Sequence, residues 1–324
     1  MRVLVTGVAG FIGFHLSKKL LEDGNKVIGV DNINNYYDVR LKKARLQILK
    51  SEKLKRNFLF FKGNIENKEF LKRIFKKNKF DFVIHLAAQA GVRYSLEKPK
   101  IYVKSNIDGF FNILENIRYH KNNLIFASSS SVYGKTNKKV FVESDVCNKP
   151  KQLYAATKLA NESMAFAYHD LFNLNMICLR FFTVYGPYGR PDMSIFKFTR
   201  DFLNKKTIKI YNHGNHTRDY TYVSDAVQGI INAMKKYKKK RKKPIFQTFN
   251  IGNNKPQKLL HVVKTISKIL KIKPHLKFIN FQAGDMKNTS ASITKAQKLI
   301  NYKPKTKFFE GVKKFVDWYQ LYYK

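Results

Sequence analysis

The stretch "RVLVTGVAGFIG", Arg2 to Gly13, constrains the fold more than any other part of the chain. An apolar, β-rich run ends at Thr6 and leads through Gly7, Gly10 and Gly13 into an amphipathic segment, "HLSKKLLEDG", with apolar residues at helical spacing. Strand, glycine turn and helix in that order open a βαβ unit. Glycines there let backbone amides and the positive end of a helix approach a pyrophosphate. The spacing is GxxGxxG, one residue longer than the best-known dinucleotide fingerprint, so the three glycines are a weak signal until their context is read.

That context is an alternation that runs through the first half of the chain. Strands are predicted at Arg2–Thr6, Lys26–Val30, Phe58–Phe61, Phe82–Ala87, Leu124–Ser128 and Met176–Phe181, with helical periodicity between them. Such a pattern predicts an α/β fold, a doubly wound parallel sheet with helices on both faces. After about residue 182 turn residues become denser, in "GPYGRPDM", "YNHGNHTRDY" and "IGNNKP". The expected division is a dinucleotide-binding domain over 1–182 and a smaller C-terminal α/β substrate-binding lobe over 183–324, some segments of which return to the first domain. Asp31, ending the second strand, stands where a carboxylate accepts both ribose hydroxyls of an adenosine and repels a 2'-phosphate, which favours NAD over NADP. The competing reading of Asp31 is a turn-capping carboxylate.

Charge asks whether the partner is instead a polyanion. The chain of 324 residues carries 63 Lys+Arg against 22 Asp+Glu, a net +41, a balance that suits nucleic acid. Lysine supplies most of it and is spread along the chain beside many Asn, Ile, Phe and Tyr, as a compositional bias produces. The dense run "KKYKKKRKK", Lys235 to Lys243, reads as an exposed connection, because no interleaved stacking aromatics accompany it. No specific nucleic-acid partner is expected. Cys147 and Cys178 lack metal or redox spacing and read as reduced thiols of a cytoplasmic protein with no metal site. Met1 leads directly into the first strand without a leader, and no apolar run approaches the roughly 20 residues of a membrane span.

Two stretches carry reactive groups. "FASSSSVYG", Phe126 to Gly134, ends the fifth strand in four serines, and "QLYAATKLANE" places Tyr154 and Lys158 four apart, on one face of a predicted helix. A phenol with an ordinary pKa of about 10 becomes a usable base when a cation stabilises its phenolate. Alone, such a pair is usually a surface contact; beside a dinucleotide turn and a serine cluster it suggests proton and hydride chemistry on an alcohol.

Together with "DNINNYYDVRLKKARL", "HLAAQAGVRYS", "SNIDGFFNILE", "RFFTVYGPYGRPDM", "YNHGN", "RDYTYV" and "GDM", these stretches resemble the extended short-chain dehydrogenase/reductase superfamily, with its Rossmann-type domain. Within it the chain is most similar to NAD-dependent nucleotide-sugar epimerases of the UDP-glucuronate 4-epimerase group. The resemblance implies Ser129, Tyr154 and Lys158 as catalytic residues. It implies a cofactor site at Gly7, Gly10, Phe11, Ile12, Gly13, Asp31, Asn32, Asn64, Ile65, Leu86, Ala87, Ala88 and Asn106, with Tyr154 and Lys158. It further implies a UDP-sugar held by Arg93, Ser128, Ser129, Thr183, Arg190, Tyr211, Arg218 and Asp285, with Ser128 facing the sugar. Arg218 would clamp the diphosphate, Asp285 the uridine ribose, and Arg190 and Thr183 a uronate carboxylate.

Related dehydratases carry an Asp-Glu pair, and UDP-glucuronate decarboxylases a Glu, where this chain has Ser130 and Ser131. Their neutrality points to epimerisation. Asn64 and Gln152 depart from the usual Asp and Ser of the family; an amide oxygen at Asn64 still accepts from an adenine amine. Helices around "SNIDGFFNILENI" and "KLANESMAFAYH" resemble those through which relatives form homodimers. The rival substrates are neutral UDP-hexoses, UDP-glucose/UDP-galactose or their N-acetyl forms. The rival of another class is a noncatalytic NAD-binding scaffold or polyanion-binding protein on the same fold.

Overall fold

In the first strand, β1 (Arg2–Thr6), Val3 and Val5 face one apolar core and Leu4 the other. A strand apolar on both faces needs cover on both, which is the condition of a parallel sheet enclosed by helices. The computed structural model, which describes residues 1–238, 243–280, 286 and 288–323, meets it. β2 (Lys26–Asp31), β3 (Phe58–Lys62), β4 (Phe82–His85), β5 (Asn123–Ser129) and β6 (Met176–Phe181) follow in chain order, then the short β7 (Thr183–Tyr185), β8 (Ile208–Tyr211), β9 (Thr217–Arg218) and β10 (Tyr220–Tyr222). β11 (Phe246–Ile251), β12 (Gln257–Lys258) and β13 (Leu276–Ile279) complete the strands among the described residues. The main sheet has seven strands in the order β11-β6-β5-β4-β1-β2-β3, paired in parallel throughout.

Helices α1 (Phe11–Glu22), α2 (Val39–Leu49) and α3 (Lys68–Lys77) connect the first four strands. Two short helices, α4 (Tyr94–Glu97) and α5 (Pro99–Tyr102), and a π-helical turn at Val103–Asp108 lead into α6 (Gly109–His120). The long α7 (Leu153–Phe172) joins β5 to β6. Then come α8 (Ser194–Leu203), α9 (Val223–Tyr237), α10 (Leu259–Leu270), α11 (Thr294–Ile300) and α12 (Phe308–Tyr322). The pairs β7 with β10, β8 with β13 and β9 with β12 build the smaller lobe, where α10 packs on α8 and α12.

The seventh strand lies beyond residue 182. β11 pairs with β6 along its whole length, from Phe246 opposite Met176 to Ile251 opposite Phe181, and α9 packs on α1. β11 and α9 thus pack against elements of the first half of the chain. β11 carries Gln247, Thr248 and Asn250 among its apolar residues, as an edge strand with one free side can, which weakens its signal in sequence. β4 ends at His85 rather than Ala87, because Leu86 to Ala88 leave the ladder to cross the glycine turn. Lys239, Lys240, Arg241 and Lys242 of the lysine-rich run lie outside the described residues. Cys147 and Cys178 are unpaired, and among the described residues no helix is long and apolar enough to cross a membrane.

Two histidines are held neutral by this packing. His85, at the end of β4, sits 2.9 Å from Thr6 Oγ1, and burial pushes its pKa down to about 3 with help from the Lys158 cation. His15 on α1 meets the Pro187 carbonyl at 2.8 Å, and burial lowers it to about 4. Once unfolded, both rings would protonate near pH 6.5, so the unfolded state takes up protons that the folded state refuses. Their contribution to stability is complete above about pH 6.5 and is lost as the pH falls towards 4 and then 3. The melting temperature should therefore fall across that window, and less steeply in a His15→Asn/His85→Asn variant. An unchanged slope in that variant would assign the acid loss to carboxylates.

Candidate active site

Gly7 begins the site because its backbone must pass under another. It has φ +73°, and a Cβ there would stand 2.8 Å from the Ala87 nitrogen, so any side chain would push the loop after β4 off the turn. Gly10 caps α1 with no side-chain hydrogen bond, and Phe11, Ile12 and Gly13 form the helix's first turn, whose amides have no partner within the helix. Asp31 closes the same corner: its carboxylate accepts from the amides of Ala9 at 3.0 Å and Ile33 at 2.8 Å. Burial raises its pKa, while those amides and the nearby Lys42 and Arg45 pull the other way. Asn32 comes directly after it. Asn64 is exposed beyond β3, and Ile65 is buried beside it. This cradle suits a dinucleotide: a turn only glycine fits, open amides at a helix start, and a carboxylate one strand away.

Leu86, Ala87 and Ala88 lie over the turn, and Asn106 holds the next residue of that loop, Gln89. The Asn106 side chain accepts from Gln89 N at 2.8 Å, donates to Gln89 O at 3.1 Å and donates to Thr157 Oγ1 at 3.0 Å. Asn106 thus braces the loop that lies over the glycine turn, from inside the π-helical turn.

The reactive groups converge from β5 and α7. Tyr154, Lys158 and Glu162 recur at intervals of four on one face of α7, and each meets a different atom of the β5 end. Tyr154 hydrogen-bonds Ser129. Lys158 Nζ donates to the Ala127 carbonyl at 2.9 Å, and burial lowers its pKa to about 8. Glu162 accepts from Ser128 at 2.5 Å and forms a two-point ion pair with Arg180 of β6, at 3.0 and 2.7 Å.

Two features of this geometry bear on the expected roles. Alternation along β5 turns Ser128 away from Ser129, into the buried contact with Glu162. Burial and nearby charge act together on Tyr154. Burial raises the phenol's pKa, and the opposing charge is Arg190 rather than Lys158, whose Nζ points to the strand backbone. The Ser129 hydrogen bond helps to lower it, and Asp192 pushes it up.

Arg190 lies in the loop after β7. Its Nε and an Nη donate to the two oxygens of Asp192, at 3.0 and 2.5 Å, and Tyr36 donates to the same carboxylate at 3.1 Å. Burial alone would raise the Asp192 carboxyl, but Arg190 outweighs it and holds the pKa below the usual value. Thr183 is half-buried at the start of β7, its amide bonded to the Asp219 carbonyl at 3.0 Å. Asp219 in turn accepts from the amides of Asn253, Asn254 and Ala291, which fixes the strand start beside Arg218. Arg218 donates to the Thr217 carbonyl at 2.9 Å. The Arg93 guanidinium lies 4.9 Å from the centre of the Tyr211 ring. Asp285 lies outside the described residues.

Sequence spacing does not pick out Arg180, Tyr36 or Arg45; it does offer Asp192, two residues after Arg190, as that arginine's ion-pair partner, and Glu162, four residues after Lys158. Arg45 is fully buried and joins the glycine turn to the loop before Arg190, donating to the carbonyls of Ala9 and Tyr188, each at 2.7 Å.

Comparison with known proteins bears on this arrangement. The GDP-mannose 4,6 dehydratase family matches residues 4–315. Protein CapI of Staphylococcus aureus is 47% identical, covering 100% of both chains. UDP-glucuronate 4-epimerase 4 of Arabidopsis thaliana is 44% identical over 334 residues, 99% of this chain and 76% of the relative. The crystal structure of UDP-glucuronic acid 4-epimerase from Bacillus cereus, in complex with UDP-glucuronic acid and NAD, superposes with a TM-score of 0.90 at 32% identity, covering 100% of each chain.

The buried pair offers a stability test. Arg180→Met leaves the Glu162 carboxylate buried without its partner and should cost about 3–5 kcal/mol in chemical denaturation. Adding Glu162→Leu should recover most of that loss. A single variant as stable as the unmodified protein would show that the pair does not brace the end of β5.

Proposed function

The chain belongs to the GDP-mannose 4,6 dehydratase family, and from that membership we propose that it is an NAD-dependent epimerase that inverts C4 of UDP-glucuronate to give UDP-galacturonate. The observation that carries this reading is the convergence of Tyr154 and Lys158 of α7 on the end of β5, where the adjoining serine turn presents Ser130 and Ser131 in place of carboxylates. Relatives named for the same reaction, in a plant and a bacterium, support it.

Gly7, Gly10, Phe11, Ile12 and Gly13 would hold the NAD pyrophosphate, Asp31 and Asn32 the adenosine ribose, and Asn64 and Ile65 the adenine. Leu86, Ala87 and Ala88 would border the cofactor, and Lys158 would reach its nicotinamide ribose. What NAD supplies when bound is reversible hydride acceptance at sugar C4. Tyr154 removes the proton of the 4-hydroxyl, shares it with Ser129, and returns it after the ketone has turned. A uronate oxidised at C4 is a β-keto acid, which loses carbon dioxide when the carboxylate bond stands perpendicular to the ketone. Arg190 and Thr183 hold the carboxylate out of that geometry. Arg218 and Asp285 would hold the uridine diphosphate, with Arg93 and Tyr211 at the same cleft. There is no net redox change.

We also propose a homodimer, because adjacent helices α6 and α7 leave Phe111, Tyr119, Phe166 and Leu171 exposed. Two unpaired cysteines suit a reducing cytoplasm. A neutral UDP-hexose is the second reading, favoured by the fact that Asp192 already neutralises Arg190.

Incubation with UDP-glucuronate should yield UDP-galacturonate; a product consisting solely of a decarboxylated sugar would overturn the reading. Tyr154→Phe should lower kcat by about 10²–10⁴-fold and retain NAD. Arg190→Met removes the charge that lowers Tyr154, so the rising acid limb of kcat/KM should move to higher pH, and carbon dioxide release should increase. An unmoved limb would remove Arg190 from the site.

A further inference from the structure

Tyr36 belongs to the loop after Asp31, yet it reaches the opposite side of the site. That loop is braced from within: Lys42 Nζ donates to the carbonyl and side-chain oxygens of Asn34, at 2.8 and 2.6 Å, and Asn34 Oδ1 accepts from the Tyr36 amide at 3.3 Å. From this support the Tyr36 hydroxyl donates to Asp192 at 3.1 Å. It also fills the space beside Gly91, in the loop after β4. A Cβ on Gly91 would stand 2.1 Å from Tyr36 Oη, and Gly91 has φ +101°. Tyr102 donates to the Gly91 carbonyl. Ring centroids then step from Tyr36 to Tyr94 at 4.9 Å, to Tyr102 at 6.4 Å and to Tyr154 at 6.3 Å. One phenol therefore touches the loops after β2, β4 and β7.

What this arrangement does to Arg190 is specific. A guanidinium has five N–H donors in a rigid fork, and Asp192 occupies its Nε and one Nη. Three donors remain, the second hydrogen of that Nη and both of the other. Resting on the assignment of Arg190 to the uronate carboxylate, we propose that Asp192 and Tyr36 are positioning residues that set uronate selectivity. Asp192 fixes the arginine's orientation through two donors, and Tyr36 fixes Asp192, so that a defined edge of the guanidinium is presented to the carboxylate beside Tyr154. The selectivity of the sugar end is thus built partly from the loop of the cofactor end.

The test compares the NAD-loaded protein with Tyr36→Phe, Asp192→Asn and the double variant. The measurements are dissociation constants for UDP-glucuronate and UDP-glucose, kcat with UDP-glucuronate, and melting temperature. Losing a hydrogen bond to a charged group should lower the preference for the uronate by about tenfold in Asp192→Asn and less in Tyr36→Phe. UDP-glucose binding should hold in all variants. Because Tyr36 acts through Asp192, the double variant should be no worse than Asp192→Asn alone. Equal loss of both ligands, an unchanged preference in Asp192→Asn, or additive losses in the double variant would overturn the proposal. An unmodified protein with no preference for UDP-glucuronate would instead overturn the assignment of Arg190 on which it rests.

Discussion

The contact between α7 and the end of β5 organises the rest of the site. Three side chains at one helical interval, Tyr154, Lys158 and Glu162, are matched to three consecutive residues of the strand: Ser129, the Ala127 carbonyl and Ser128. Glu162 is anchored by Arg180 on the neighbouring strand, whose guanidinium also lies 4.8 Å from the Tyr133 ring centre. Tyr133 in turn donates to Asn250 of β11 at 2.6 Å. The serine turn is thereby tied to both strands on its outer side. Two buried charges cost solvation, and their two-point geometry with a third hydrogen bond offsets it. The return is a fixed relation between Ser129 and the phenol beside it.

A second constraint works across the carboxyl edge of the sheet. Parallel pairing brings the ends of β1, β2, β4, β5 and β6 to one side, and polar side chains tie the loops leaving them to one another. Arg45 joins the glycine turn to the loop after β7, Asn106 joins the loop after β4 to α7, and Tyr36 joins the loop after β2 to Arg190 through Asp192. Each link needs a donor of fixed direction, and each would be left unsatisfied if its loop moved. The family takes its description from a dehydratase, a reaction that needs an acid and a base to expel water. Here the turn at Ser130 and Ser131 offers hydroxyls, and the charge near the phenol comes from Arg190.

What could be read from the sequence was what depends on short range. β1 and β6 begin and end at the residues predicted, because each is an apolar run bounded by turn or helix residues. The glycine turn, Asp31 and the Tyr154/Lys158 pair are likewise local patterns. β11 was obscured by polar residues suited to an edge. Four serines look alike in sequence until strand alternation decides which face each takes, and it gives Ser128 to Glu162. Tyr36 and Asp192 lie 156 residues apart, and Arg180 and Glu162 belong to different elements, so only the folded chain joins them. Charge misled least: the +41 balance is spread along the chain, and the site is built from a few charges placed by geometry.

The central claim is that C4 alone is inverted, by removal and return of its own hydrogen while Tyr154 handles the hydroxyl proton. UDP-glucuronate carrying deuterium at C4, converted in ordinary water and monitored by NMR, tests it most directly. The account predicts UDP-galacturonate with deuterium still at C4 and no solvent hydrogen incorporated at C5. Loss of the C4 deuterium to solvent, or exchange at C5, would contradict it.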